Sequence, residues 1–213
     1  MLVRERMIGH PITIDADTSV TDALNFMRQN HVRRLPVLDK RGRLVGIVAE
    51  KDLLYASPSP ATSLSVYEIG YLLSKLKVQE IMTREVITVE PDCPLEEAAR
   101  MMVDHKIGGL PVVDDGELVG LITETDIFRV FLEMLGAREQ GVRVSLGVPN
   151  EPGVLARVAG AVAQLGGDIV ALGTSYGEDR TQSRITMKVR GVEEERLPGE
   201  LEKAGAHVLD IRQ

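Results

Sequence analysis

The sequence predicts an α+β chain in two parts, a duplicated β-α-β-β-α unit followed by a single βαββαβ unit. Three observations carry this. Residues 7–53 and 82–127 align with one single-residue gap. Within each copy the apolar pattern switches between strand and helix periods. Beyond a polar stretch ending in Gly141, the order of elements changes. The matched pairs include Met7/Met82, Thr13/Thr88, Asp17/Asp92, Ala23/Ala98, Met27/Met102, Leu35/Leu110, Pro36/Pro111, Val37/Val112 and Asp39/Asp114. Past the gap come Gly42/Gly116, Leu44/Leu118, Val45/Val119, Gly46/Gly120, Glu50/Glu124 and Asp52/Asp126. Two copies point to a closed pair rather than a solenoid.

In the first copy, 11–15 is a short extended run. Asp17-Thr18-Ser19 is an N-cap cluster, and Val20, Ala23, Leu24 and Met27 recur at i, i+3, i+4 and i+7, one face of a helix. Residues 35–38 read as a buried strand, 39–43 with Gly42 as a hairpin turn, 44–49 as the return strand, and a helix begins at Lys51. The second copy repeats this with strands at 86–89, 110–113 and 118–123 and helices at 95–103 and 126–135. Between the copies, 57–62 is a Ser/Pro loop. Ser65 and Glu68 have capping-box spacing, and Val66, Ile69, Leu72, Leu73 and Leu76 continue at helical spacing, so an inserted helix is expected over 65–76.

Residues 137–141 form the expected linker. Then 142–148 alternates as a strand. Asn150 is the expected N-cap of a helix with Pro152 in its first turn, and its apolar stripe is Val154, Leu155, Val158, Ala161, Val162 and Leu165. Gly166-Gly167 stops it. Strands at 168–173 and 183–189, a helix at 193–204 and a strand at 207–211 complete a ferredoxin-like order. The expected organisation is therefore 1–136 (copies 7–56 and 78–136 around the insertion 57–77), the linker, and 142–213.

Composition bounds the function. Hydrophobic residues make up 44% and charged residues 27%, as in globular proteins, and the net charge of −7 argues against nucleic acid and anionic membranes as partners. With no Trp and three Phe, stacking on single-stranded nucleic acid is not expected. No apolar run reaches the roughly 20 residues of a membrane span, and the N-terminus lacks a signal-type core, so a cytoplasmic location is expected. The single cysteine, Cys93, cannot form an internal disulfide, and no metal site is expected because His10, His31, His105 and His207 lack ligand spacing.

The Leu-Pro-Val-x-Asp segment and the apolar hairpin with its Gly, in order and twice, with Thr123-x-x-Asp126 at the exit of the second hairpin, resemble CBS motifs. Two copies resemble the CBS pair that binds adenosine-containing ligands. Asn150-Glu151-Pro152-Gly153-Val154-Leu155 and Gly166-Gly167-Asp168-Ile169 resemble the helix-entry turn and second strand of an ACT domain. The domain order is similar to bacterial acetoin-utilisation B-type proteins.

The CBS resemblance implies a nucleotide between the copies, with adenine among apolar residues, ribose on the Asp and phosphates on cations before the Leu-Pro step. In the first cleft this implies Ile12, Val32, Arg33, Arg34, Leu35 and Pro36 with Thr123 and Asp126. In the second it implies Asp52, Ile87, Ile107, Leu110 and Pro111, with Ala49 in place of the hydroxyl, Gly108-Gly109 in place of the arginines, and Lys106 as the only cation. The first cleft is therefore expected to take AMP, ADP or ATP, and the second to bind weakly or not at all. Three other readings stand beside this. Asp is favoured at helix starts without any ligand, and Arg33-Arg34 also reads as a solvated pair. Gly108-Gly109 reads as a tight turn.

The ACT resemblance implies a site for an amino acid or other small metabolite at Asn150, Gly153, Val154 and Leu155, with Asp168 nearby, although Asn-x-Pro-Gly is equally a helix-entry turn. Together these imply a non-catalytic sensor with no cofactor beyond the regulatory nucleotide, acting as a homodimer and on a partner enzyme. The alternative is a ligand-free dimeric interaction subunit. An enzyme is not expected, because regulatory modules fill the chain.

Overall fold

The computed structural model describes residues 1–56, 65–177 and 180–213, and the loop expected at 57–62 lies outside them. The chain divides into two compact units, Met1–Ile127 and Phe128–Gln213.

The first unit runs β1 (Ile8–Gly9), β2 (Ile14–Asp15), α1 (Val20–Gln29), β3 (Arg34–Leu38), β4 (Leu44–Ala49), α2 (Glu50–Tyr55), α3 (Val66–Lys75), α4 (Val78–Ile81), α5 (Leu95–Asp104), β5 (Gly109–Asp114) and β6 (Glu117–Thr123). It includes the start of α6 (Glu124–Met134). Ser19 caps α1 by accepting the Asp22 N–H at 3.1 Å, and Val20, Ala23, Leu24 and Met27 are buried on one face. In α5, Leu95, Ala98 and Met102 do the same, with Pro94 at the cap position. The inserted helix α3 opens with a reciprocal box, Glu68 N–H to Ser65 Oγ and Ser65 N–H to Glu68 Oε2. Leu73 and Leu76 pack against the core, whereas Leu72 is exposed.

Each β-hairpin belongs to a three-stranded sheet, in the orders β2-β3-β4 and β1-β6-β5. The second sheet takes its edge strand from the other copy, since Ile8 pairs with Leu121 and Gly9 with Gly120. The reverse exchange occurs at the matching place, where Thr83 bridges Ile47 of β4. The expected strand at 86–89 is reduced to one parallel bridge, Val89 with Val112, equivalent to Ile14 beside Val37.

The exchange reaches back to the first residue. The Val3 N–H donates to the Cys93 carbonyl and the Val78 N–H to that of Thr18, both at 2.9 Å. The Arg4 N–H donates to Pro91 O and the Gln79 N–H to Ala16 O. Val3 and Val78 are fully buried. The duplication therefore extends ahead of the matched stretch at Met7, and each copy is closed by a segment of its sister. The conserved spacing within the duplication also has a packing reason. A Cβ on Gly46 would overlap Met82 Sδ, and one on Gly120 would overlap Met7 Sδ, so each methionine sits on the glycine of the other copy.

The second unit holds β7 (Val142–Pro149), α7 (Val154–Gln164), β8 (Asp168–Tyr176), β9 (Gln182–Arg190), α8 (Leu197–Lys203) and β10 (His207–Arg212). Its antiparallel sheet has the order β10-β7-β9-β8. Val142, Val144, Leu146 and Val148 alternate into a core with Val158 and Val162 of α7 and Leu197 and Leu201 of α8. The expected linker and the residue before it pack on this sheet, with Lys188 Nζ donating to the carbonyls of Gly136 and Glu139.

Asn150 does not cap α7. Gly153 does, in the left-handed region at φ 85°, a conformation in which a Cβ is disfavoured. Asn150 instead donates through Nδ2 to the Arg180 carbonyl at 2.9 Å, and its N–H goes to Thr181 O. The last expected helix is shorter than 193–204, because Glu194–Arg196 is a 3-10 turn and Pro198 opens the α-helix behind it.

Candidate ligand clefts

The ends of β4 and β6 lead directly into α2 and α6, and the third residue of each helix is an aspartate. Asp52 Oδ2 accepts the Ala49 N–H at 2.9 Å. Asp126 Oδ2 accepts the Thr123 N–H at 3.0 Å and the Thr123 hydroxyl at 2.6 Å. Both carboxylates therefore close the first turn of their helices, as side chains at this position commonly do. They differ in access. Asp126 is only 5% exposed, whereas Asp52 is half-buried and lines a cavity. The Thr123 hydroxyl, expected to contact ligand, donates to Asp126 instead. Ala49 lacks that hydroxyl, so Asp52 receives no equivalent of this bond.

The cavity has a volume of about 230 Å3 and draws on both copies. Ile47, Ala49 and Asp52 come from the first. Ile87, Ile107, Gly108, Gly109 and Pro111 come from the second. These include most of the residues expected of the second cleft. Leu110 is the exception. It is fully buried, as is Leu35 in the first cleft, and Leu35 belongs to the core cluster with Val37 and Met27. Side chains alternate along a strand, so the face that carries Pro36 or Pro111 toward a ligand carries the preceding leucine away from it. Both leucine side chains are thus packed in the core.

Arg34 is also placed differently from expectation. Its guanidinium extends over Gly108, its Cδ lies against Gly109, and its Nη2 is 3.2 Å from Glu124 Oε1. It lines the Asp52 cavity. A Cβ at Gly108 would overlap this guanidinium, so the glycine pair, expected as a turn, is the seat for the arginine of the other copy. With Arg34, Lys51 and Lys106 against Glu85, the cavity has a cationic wall that the sequence reading withheld from it. Lys51, Thr83, Glu85 and Val86 were not anticipated as lining residues. The alignment offered a signal for one of them, because Thr83 is the counterpart of Ile8, one step past a matched methionine.

Of the remaining residues expected in the first cleft, Pro36 is buried, Val32 half-buried, and Ile12 and Arg33 exposed. Among the described residues no group of three His, Cys, Asp or Glu is placed to hold a metal, and no helix is long and apolar enough to cross a membrane.

In the second unit, the expected site residues do not converge. Val154 points into the core, Leu155 is exposed, Gly153 is the cap, and Asn150 is tied to the loop before β9. Asp168 is engaged by Arg190 at 2.6 Å. A cavity of about 470 Å3 lies nearby, lined by Gly147, Pro149, Gln182, Arg184, His207 and Leu209 among others.

A cleft between duplicated halves, closed by reciprocal exchange, matches a known family. A model described as the CBS domain matches residues 3–59 and 78–133. The chain belongs to the CBS-domain family. A model described as the TTHA0829-like ACT domain matches residues 140–212, so an ACT domain follows the CBS pair. A CBS domain-containing protein of Dictyostelium discoideum is 35% identical over 136 residues, covering 63% of this chain and 94% of its own. An inosine-5'-monophosphate dehydrogenase of Nitrosopumilus maritimus is 36% identical over 122 residues, which is 57% of this chain and 22% of that enzyme.

Among solved structures, a putative acetoin utilization protein (AcuB) from Vibrio cholerae is 33% identical with a TM-score of 0.53, covering 65% of this chain and 96% of its own. CBSX2 in complex with AMP is 33% identical, with a TM-score of 0.51, 62% of this chain and 96% of its own. The CBS domain pair of protein MJ0100, in complex with 5-methylthioadenosine and S-adenosyl-L-methionine, is 32% identical, with a TM-score of 0.53, 65% of this chain and 98% of its own.

Proposed function

We propose that the chain is a non-catalytic regulatory protein whose CBS pair binds an adenosine-containing ligand in the Asp52 cleft. The observation that carries this reading is the cavity shared by both copies, with a carboxylate at one side and three cations on its walls. A half-buried aspartate accepts the two vicinal hydroxyls of a ribose. Ile47, Ile87, Ile107 and Pro111 offer apolar contact to a base. Arg34, Lys51 and Lys106 suit a phosphate better than a sulfonium, because like charges repel. AMP is therefore the favoured ligand class, over S-adenosyl-L-methionine. The solved complexes of similar CBS pairs with AMP and with 5-methylthioadenosine support the same chemistry. A cavity of about 230 Å3 is smaller than the ~300–1,000 Å3 of usual ligand pockets, so the phosphate end lies toward solvent.

The test is calorimetric titration of the full chain with AMP, adenosine and S-adenosyl-L-methionine, repeated on Asp52→Ala. Tight AMP binding that weakens tenfold or more in the variant, about 1.4 kcal/mol per factor of ten, supports the reading. Equal affinity in both proteins contradicts it.

An interaction role is favoured by a separate observation. Phe128, Phe131, Leu132 and Leu135 are exposed on and just after α6, an apolar run of the kind that marks association surfaces. A homodimer through this helix, with a partner enzyme responding to it, completes the proposed sensor. An amino acid or other small carboxylate is proposed for the Arg184–His207 cavity of the ACT domain rather than for the Asn150 turn.

A further inference from the structure

Arg34 has no equivalent in the second copy, where its place is taken by Gly109. Its side chain is 25% exposed and reaches Glu124 through one nitrogen. Glu124 opens the helix that carries Asp126, and its own N–H is pinned to the Gly108 carbonyl at 3.1 Å. Glu50, its counterpart, is pinned in the same way to Arg33 O, but the position matching Arg34 in the second copy is Gly109. At this place the copies are alike in backbone and differ in the Arg34–Glu124 ion pair.

We propose that Glu124 is a specificity-determining residue, which holds Arg34 in reserve and yields it to a phosphate in the Asp52 cleft. This rests on the reading under Proposed function. A part-exposed Arg–carboxylate contact through a single nitrogen contributes little stability. A phosphate monoester carries more charge and accepts two parallel N–H bonds from one guanidinium, so it outcompetes Glu124 for Arg34. Neutral adenosine does not. The exchange frees the Glu124 carboxylate at the first turn of α6, so occupancy of the Asp52 cleft changes the contacts of the helix start that holds Asp126 in the other.

The experiment is calorimetry with AMP and adenosine on the full chain, on Glu124→Gln, on Arg34→Ala, on Arg34→Lys and on the double variant Arg34→Ala with Glu124→Gln. The readout is the ratio of adenosine Kd to AMP Kd. Glu124→Gln should raise this ratio by about threefold to tenfold, Arg34→Ala should lower it by about tenfold, and Arg34→Lys should fall between that variant and the wild type. Glu124→Gln should have no effect on the ratio once Arg34 is absent. An unchanged ratio in Glu124→Gln overturns the proposal while leaving adenosine binding intact. So does an equal effect of Glu124→Gln with and without Arg34. If neither ligand binds the wild-type chain, the reading beneath it fails and takes the proposal with it.

Discussion

The two aspartates at the helix starts occupy matching positions, yet their surroundings give them different roles. Asp126 is buried and holds both the N–H and the hydroxyl of Thr123. Asp52 takes only the Ala49 N–H and opens onto a cavity. The hydroxyl that marks the fuller motif in sequence thus donates to the carboxylate beside it. The degenerate copy, with Ala49, leaves its aspartate more available. The arginines follow the same pattern. Arg34 belongs to the first copy in sequence, but its guanidinium lies over the glycines of the second and lines the second cleft. Residue inventories of one motif therefore do not describe one site, because each site is assembled from both copies.

The largest effects should come where the copies are alike. Leu35→Ala and Leu110→Ala should each destabilise the protein by about 2–5 kcal/mol, the cost of emptying a fully buried leucine site. Urea unfolding measures this, and a loss below about 1 kcal/mol for either would return that leucine to the ligand site. The next effect separates the copies. Asp126→Ala should cost about 1–3 kcal/mol by stranding the Thr123 donors. Asp52→Ala should cost less stability and remove more AMP affinity. The opposite ranking would place the ligand in the first cleft.

Smaller still is the change at the seat of Arg34. Gly108→Ala forces the guanidinium to move without straining the backbone, since only the far end of a flexible side chain and the Glu124 carboxylate must give way. We expect a lower melting temperature by a few degrees at most, about 1 kcal/mol, together with an altered AMP-to-adenosine ratio. A wild-type ratio would show that this contact is incidental.

The smallest effect concerns the two hairpin turns. Asp39 accepts the Arg41 and Arg43 N–H groups and the Arg43 guanidinium. Its carboxyl is lowered to about 2, chiefly by the Arg43 N–H and then by the Arg43 side chain. A group lowered in the folded state stabilises above its unfolded value near 3.8 and loses that contribution as pH falls toward 2. Where repeat one has Arg43, repeat two has Glu117. Acid titration followed by NMR should therefore show the first turn loosening between about pH 4 and 2, and Asp39→Asn should remove that step.

Much of this was legible in the sequence. The duplication, the stripe Val20–Ala23–Leu24–Met27, the Ser19 cap and the Ser65–Glu68 box depend on neighbours within a few residues, and the pattern records them. The alternation that separates Leu35 from Pro36 is also present in the sequence, since neighbouring strand residues face opposite sides. What the sequence did not carry was the exchange between copies. Residues 1–6 and 76–81 share only Val3/Val78 and Glu5/Glu80, because much of their work is done by backbone hydrogen bonds that any side chain permits. The direction of Arg34 was equally hidden, since it depends on the absence of side chains at Gly108 and Gly109 in the other copy. Asn150 was a reasonable cap by type, but the left-handed Gly153 placed the helix start three residues later.

The most direct test of the account is a crystal of the full chain grown with AMP. The account expects the ribose hydroxyls on Asp52 and the phosphate on Arg34, with the contact between Arg34 and Glu124 broken. A nucleotide found on Asp126 instead, with Arg34 still on Glu124, would contradict it.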